Sequence, residues 1–168
     1  MPTLDDVFRK FGEASEAAQL LETELGTVLL FFGAVDDGLI TPTLQTSQVD
    51  SKRAADLLRR IDRQTLGQLI RNTKQHTDAL ESLEPLLWAA LKERNRLAHS
   101  FYRRHSFRKF SEAGRVIMMQ DLETIHDTLL KAYKALMLLS GIDLDAAAEQ
   151  AAKARERLGL EPSPARSN

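Results

Sequence analysis

The sequence predicts an all-α fold, an up-and-down bundle of three long helices with several short ones. Apolar residues recur at steps of three and four in three long segments, and no segment shows the alternation typical of a strand. The 168 residues include only five prolines and eight glycines, so long helices are possible. We place an up-and-down bundle at residues 1–142, an accessory helix at 143–160 and a disordered tail at 161–168.

The first long helix is predicted over about residues 5–35. Thr3 is its expected N-cap, and Asp5 and Asp6 suit the positive end of the helix dipole. The residues that form its apolar stripe are Phe8, Phe11, Ala14, Ala18, Leu21, Leu25, Val28, Leu29 and Phe32. Residues 36–38 end the helix, and the polar segment 39–50, which contains Pro42, is predicted to be a loop.

Two short helices, at 51–61 and 64–75, are expected before the second long helix. That helix starts at Asp78 or Ser82 and ends near His99. Its predicted apolar face consists of Leu83, Leu86, Leu87, Ala90, Leu91, Leu97, Ala98 and Phe101.

The third long helix is predicted from Ser111 to Ser140, with Gly141 as its stop signal. Its expected core face consists of Val116, Met119, Leu122, Ile125, Leu129, Ala132, Leu136 and Leu139. A basic loop over residues 102–109 joins it to the second long helix.

Composition excludes several classes of function. Without cysteine the chain has no disulfide, no thiol nucleophile and no cysteine-based metal site, which fits a reducing cytosol. The N-terminus lacks the pattern of a signal peptide, and the longest apolar run, 28–32, is far shorter than the roughly 20 residues that span a bilayer. We therefore expect a cytoplasmic protein without membrane contact. The histidines and carboxylates show no metal-ligand spacing, so no metal or other cofactor is expected.

Basic residues are concentrated between residues 92 and 109, although the whole chain has a net charge of −1. Seven cations stand there against one acid, Glu93, and aromatic residues are interspersed among them. The cations are Lys92, Arg94, Arg96, Arg103, Arg104, Arg108 and Lys109, and the aromatics are Phe101, Tyr102, Phe107 and Phe110. This mixture suits single-stranded nucleic acid, but it also suits a solvated helix end whose cations complement the dipole.

The spacing of Arg94, Asn95 and His99 distinguishes this segment from an ordinary basic helix end. Arg94 lies beside the apolar stripe, where a charge costs free energy unless it is paired or faces a polar cleft. Asn95 and His99 are four residues apart and share a face, so the amide can orient the imidazole. Arg94 and His99 are about 140° apart around a straight helix. They can meet on one ligand only through the long arginine side chain or across two packed copies.

The segment Arg94-Asn95-Arg96-Leu97-Ala98-His99 resembles the R-x4-6-H motif of the HEPN superfamily, including the asparagine that commonly follows the arginine. The resemblance implies a helical bundle that acts as a homodimer. Many members are metal-independent endoribonucleases, often toxins or phage-defence components beside an antitoxin, and others only bind. One toxin branch has R-x4-H-x-Y. Here Tyr102 comes one place later, so that tyrosine's role is not transferred.

The residues themselves indicate the chemistry. RNA supplies its own nucleophile, the 2′-hydroxyl, and a histidine can serve as general acid or base near neutral pH. Arginine can bind two phosphate oxygens. We assign His99 as acid or base, Arg94 as phosphate clamp and Asn95 as the residue that orients the histidine.

The expected RNA contacts around this centre are Arg96, Tyr102, Arg103, Arg104 and His105. His105 is expected to be a surface histidine in a basic loop. Two alternatives remain open at this point. One is a non-catalytic HEPN-like module for RNA binding or protein assembly, and the other is a helical interaction protein without a nucleic-acid role.

Overall fold

The computed structural model describes residues 1–39, 51–73 and 78–157, and all regular elements in these ranges are helical. The predicted all-α class is confirmed. The elements are α1 (Leu4–Asp36), α2 (Ser51–Asp62), α3 (Leu66–Thr73), α4 (Asp78–Arg104), α5 (Glu112–Leu139) and α6 (Leu144–Arg157), with a 3-10 turn (Arg108–Phe110) before α5. The predicted loop at 39–50 lies almost wholly outside the described residues. So do the end of the second short helix near 75 and the tail at 161–168.

Helix α1 begins at the predicted N-cap. The Thr3 hydroxyl accepts a hydrogen bond from the Asp6 amide at 3.1 Å, and the Asp6 carboxylate accepts one from the Thr3 amide at 2.9 Å. Together they form a capping box, which satisfies two amides at the start of the helix. The hydrogen bonds from the Thr3 amide and hydroxyl, together with Arg9, lower the pKa of Asp6 to about 2.

The core is built where α1 packs along α5 and where α4 packs against both α5 and α3. The largest side chains that are fully buried are Leu21 and Leu25 from α1, Leu66 and Ile70 from α3, Leu80, Leu87 and Phe101 from α4, and Met118, Leu122, Ile125, Leu129 and Leu136 from α5. Burial of this apolar surface is the main driving force that holds the long helices together.

Four residues that we predicted to be buried are exposed, and one of them is Ala98 on α4. Phe8 is exposed on α1, where Val7 is buried instead, and Val116 and Leu139 are exposed on α5. The buried face of α5 recurs at residues 114, 118, 122, 125, 129, 132 and 136. Met118 therefore faces the core and Met119 lies only partly buried at its edge. The predicted start at Val116 had the wrong helical phase.

Gly114 determines how closely the 3-10 turn approaches α5. A Cβ atom at this position would lie 2.2 Å from the Arg108 carbonyl oxygen, so only glycine fits. The Ser111 hydroxyl caps α5 by accepting a hydrogen bond from the Gly114 amide at 3.1 Å. The two contacts fix the connection between α4 and α5, which carries several of the basic residues.

Helix α4 is longer than predicted, and this changes the position of the motif. It continues to Arg104 rather than ending near His99, so residues 94–99 lie inside the helix, before its last turn. Helix α6 was expected as an accessory helix; it is capped by Asp143 and bound to α5 by a Lys134–Asp145 ion pair of 2.5 Å.

By length and composition alone, α1 could cross a membrane. Core helices of soluble proteins meet the same criterion. Eight residues of α1, from Val7 to Leu29, are buried inside the helical packing.

Candidate nucleic-acid site on helix α4

Helix α4 presents two chemically different sides. One side is centred between Arg94 and His99, and the other is centred between Arg96 and Arg104. With 100° of rotation per residue, these two directions are about 170° apart around the helix axis. The Arg94 side is adjacent to α1, through an ion pair with Glu22. The Arg96 side is adjacent to α5, through an ion pair with Asp121. We call Arg94, Asn95 and His99 the motif face.

Arg94 is half-buried at the edge of the α1–α4 contact. One guanidinium nitrogen lies 3.4 Å from a Glu22 carboxylate oxygen, and the other donates to the Asn95 side-chain oxygen at 3.3 Å. These partners explain how a charge is accommodated beside an apolar stripe. They also fix the guanidinium at the surface, where one-third of the side chain remains exposed.

Asn95 and His99 are both exposed on the motif face. The prediction that Asn95 orients His99 is not supported by the contacts, because the Asn95 side-chain oxygen accepts its hydrogen bond from Arg94. Within the described ranges, the His99 imidazole takes part in no hydrogen bond or ion pair. Both of its ring nitrogens are therefore accessible to a ligand.

Arg96 is far less accessible than a direct RNA contact requires. Its guanidinium donates to Glu93 at 2.7 Å and to Asp121 at 2.5 Å, and only 16% of its side chain is exposed. The predicted role of Arg96 in RNA binding is therefore corrected. This arginine joins α4 to α5, and two carboxylates compensate its charge.

His105 is buried, with 3% exposure, which contradicts the expected surface position. It follows Leu97 and Phe101 at steps of four, so it continues the buried face of α4 one turn further. Its backbone amide donates to the Phe101 carbonyl at 3.1 Å, and its ring lies 4.6 Å from the Phe101 ring. His105 is therefore removed from the set of predicted RNA contacts.

Both ring nitrogens of His105 are occupied. Nε2 lies 2.8 Å from Asp121, and Nδ1 lies 3.1 Å from an Arg108 guanidinium nitrogen. Because arginine only donates hydrogen bonds, Nδ1 accepts and the Nε2 proton is donated to Asp121. His105 thus connects Arg108 to Asp121, and neither of its ring nitrogens is left free for a ligand.

Asp121 connects these basic groups on the α5 side. Burial would raise its pKa, but hydrogen bonds from Arg96 and His105 outweigh this effect and hold the pKa of the carboxyl below its usual range. Burial would lower the pKa of Arg96, but the hydrogen bonds that it donates to Asp121 and Glu93 outweigh this effect and raise the pKa. The cluster is therefore charged and satisfied at neutral pH.

The other predicted contacts lie at the surface near the end of α4. Arg103 and Arg104 are exposed. Tyr102 is partly exposed, and its ring packs 5.1 Å from Phe11 on α1. Burial raises the pKa of its hydroxyl. Tyr102 thus anchors α4 to α1 and keeps one edge available beside the motif face.

Sequence reasoning did not identify Glu22 and Asp121. Glu22 is 72 positions from Arg94, and only the packing of α1 on α4 brings the two together. Asp121 adjoins the core residue Leu122. An acidic residue next to a predicted core position was the feature of the sequence that could have pointed to it.

Comparison of the chain with protein-family models, with curated proteins and with solved structures gave no match. Within the described residues, no group of three or more histidine, aspartate or glutamate side chains is arranged to hold a metal ion.

Proposed function

We propose that the protein is a metal-independent endoribonuclease of the HEPN type, folded as an up-and-down bundle of HEPN topology. One observation carries the proposal. Arg94 and His99 share an accessible surface, the arginine is held in place, and both imidazole nitrogens are accessible. Each group suits one part of the reaction, Arg94 the binding of a phosphate and His99 the transfer of a proton.

In the proposed reaction, the 2′-oxygen of RNA attacks the adjacent phosphorus. The 2′-O–P bond forms and the P–O5′ bond breaks, which leaves a 2′,3′-cyclic phosphate and a 5′-hydroxyl. The His99 imidazole accepts the 2′-hydroxyl proton, and the imidazolium that results donates it to the leaving 5′-oxygen. Arg94 binds the non-bridging oxygens as negative charge accumulates on them.

Two copies of the chain bring an arginine and a histidine to one phosphate more readily than one copy does. Arg94 and His99 are about 140° apart around α4, so a single helix does not bring both onto one phosphate easily. In a two-fold dimer with the motif faces opposed, Arg94 of each copy is adjacent to His99 of the other. We therefore propose a cytoplasmic homodimer that acts on RNA, of the toxin or defence type, with an antitoxin as a further partner.

Glu22 is expected to compete with RNA for Arg94. Its ion pair is long, at 3.4 Å, and about one-third of each side chain is exposed, so it contributes little to stability. A phosphate can therefore replace the carboxylate at small cost. In the free protein, Glu22 thus pairs with Arg94 at the position that an RNA phosphate would take.

The test is cleavage of end-labelled RNA in the presence of a chelator. The proposal predicts chelator-resistant cleavage that leaves 2′,3′-cyclic ends. H99A should reduce the rate by about a hundredfold or more while the protein stays folded. H126A is the matched control, since His126 is a partly exposed histidine on α5 whose ring nitrogen lies 3.6 Å from Asp127. It should cleave like the wild type.

Two results would contradict the proposal. Cleavage by H99A at the wild-type rate would remove His99 from the mechanism. Salt-sensitive RNA binding without any cleavage would instead support a non-catalytic HEPN-like binding module.

The composite site is tested separately by mixing two inactive variants, R94A and H99A. If one copy supplies the arginine and the other the histidine, mixed dimers contain one intact site, and about a quarter of the wild-type activity should return. No recovery after verified subunit exchange would place both groups on one copy.

A further inference from the structure

A second polar groove lies on the other side of α4, between its C-terminal end and α5. It is an open groove of about 480 Å³. The polar side chains that line it are Arg96, Arg104, His105, Arg108, Gln120 and Thr124, together with Asp121 at its base. Nothing in the proposed cleavage mechanism uses these residues.

The arginines in this groove differ in how their charge is compensated. Arg96 is paired with Glu93 and Asp121. Among the described residues, Arg104 and Arg108 form no ion pair with a carboxylate. The three guanidinium groups are thus balanced by only two carboxylates, both of which pair with Arg96. The excess positive charge lies on Arg104 and Arg108.

Arg108 is held in position by a partly buried chain of hydrogen bonds. Its guanidinium donates to His105 Nδ1 at 3.1 Å, and His105 is in turn bonded to Asp121 at 2.8 Å. Because His105 is almost wholly buried, this support is rigid in comparison with a surface contact. One nitrogen of Arg108 is engaged with His105, so the rest of the fork remains available for a ligand.

We propose that this groove is a phosphate-binding site, in which Arg104 and Arg108 bind the phosphate oxygens and His105 is a positioning residue for Arg108. Planar guanidinium groups match the geometry of phosphate oxygens, and Gln120 and Thr124 add neutral polar groups at the rim. The groove volume is in the range of small-molecule sites, so we include a nucleotide as well as a bare phosphate among the expected ligands.

Two sources can supply this phosphate, a mononucleotide or a strand of RNA. The groove faces away from the motif face, so the proposal does not rest on ribonuclease activity. An RNA strand that occupied the groove would reach it around the end of α4, past the exposed Arg103 and Arg104.

The experiment is titration of the whole chain, at fixed ionic strength, with three probes measured by calorimetry. These are inorganic phosphate, a 5′-mononucleotide, and a short 2′-O-methyl RNA that cannot be cleaved through its 2′-oxygen. Saturable binding of phosphate or mononucleotide identifies a small-molecule site. Binding of the oligonucleotide alone identifies an RNA strand as the source.

The variants R104Q and R108Q should each weaken the Kd of the bound probe by about tenfold or more. R71Q is the matched control, because Arg71 is an exposed arginine in the last turn of α3, outside the groove. It should bind like the wild type. H99A should also keep full affinity for phosphate or the mononucleotide, which separates this proposal from the proposed cleavage function.

The role of His105 is tested by a pair of substitutions at one position. H105Q keeps a side-chain oxygen that can accept from Arg108, whereas H105L does not. With both variants folded at low temperature, H105Q should retain most of the affinity and H105L should lose it. The proposal is overturned if no probe binds saturably, or if R104Q and R108Q bind as tightly as R71Q.

Discussion

The two histidines at the end of α4 are six residues apart and have opposite environments. His99 is exposed and makes no hydrogen bond within the described part of the chain. His105 is buried and has both nitrogens occupied, by Asp121 and Arg108. Both residues come from one basic segment. Availability for chemistry therefore depends on which side of the helix a residue occupies, and not on the composition around it.

Arg94 and Arg96 differ in the same way as the two histidines. Arg94 is held by one weak ion pair and an adjacent amide, so its guanidinium can exchange the carboxylate for a ligand. Arg96 is half as exposed and is held by two carboxylates. We therefore expect substitutions on the α5 side to change stability most, and substitutions on the motif face to change activity most.

The largest loss of stability is expected for G114A, which disrupts the packing of the 3-10 turn against the start of α5. The added Cβ would lie 2.2 Å from a backbone oxygen of Arg108, which cannot move without displacing the 3-10 turn. We expect the free energy of unfolding to fall by about 2–4 kcal/mol. Urea denaturation measures this change. G12A is the matched control, because nothing lies within 4 Å of its added Cβ, and it should be neutral or stabilising.

D121N is expected to have the next largest effect. It removes the charge that is shared by Arg96 and His105, both of which are poorly exposed. The loss should be about 2 kcal/mol, because the partly buried Arg96 would lose one of its two carboxylates and the Nε2 proton of His105 would lose its charged acceptor. D127N, on the same helix at a position whose side chain is 80% exposed, should change stability very little. Equal effects would show that the α5 side is not specially stabilised.

The stabilisation from Asp121 should also depend on pH. The pKa of Asp121 is lowered in the folded state. Its contribution to the free energy of unfolding is therefore fully present above the pKa of an aspartate in the unfolded chain, about 4. The contribution is lost as pH falls through the folded value. The difference in unfolding free energy between the wild type and D121N should therefore be constant near neutrality and shrink below about pH 4. A difference that grows on acidification would contradict this assignment.

The smallest change in stability is expected for E22Q on the motif face. The Arg94–Glu22 pair is long and about one-third exposed, so its loss should cost less than about 1 kcal/mol. RNA affinity should increase, because Arg94 no longer has a competing carboxylate. Binding of a 2′-O-methyl RNA at two salt concentrations measures the effect. Weaker RNA binding by E22Q would mean that Glu22 positions Arg94 rather than competing for it.

The sequence predicted the elements of the fold better than it predicted the site. Apolar periodicity located the helices α1 and α5 to within a residue or two, because their buried stripes are long. It misplaced Phe8 and Val116, since a short apolar run does not fix the helical phase. The Arg94–His99 spacing was visible in the chain. The partners Glu22 and Asp121 were not, because only tertiary packing brings them to α4.

His105 shows the same limit. In the chain it lies in a run of cations, which suggested a surface position. The four-residue steps from Leu97 and Phe101 place it on the buried face only if α4 continues beyond His99, and Phe101 was the one residue of the apolar face that indicated this extension.

The most direct test compares H99Q and H105Q in one experiment that records both RNA cleavage with chelator and thermal unfolding. We predict that H99Q unfolds like the wild type and loses cleavage, by about a hundredfold or more. H105Q should unfold at a lower temperature and still cleave RNA well below that temperature. The account would be contradicted if H99Q cleaved at the wild-type rate, or if H105Q remained folded and lost cleavage.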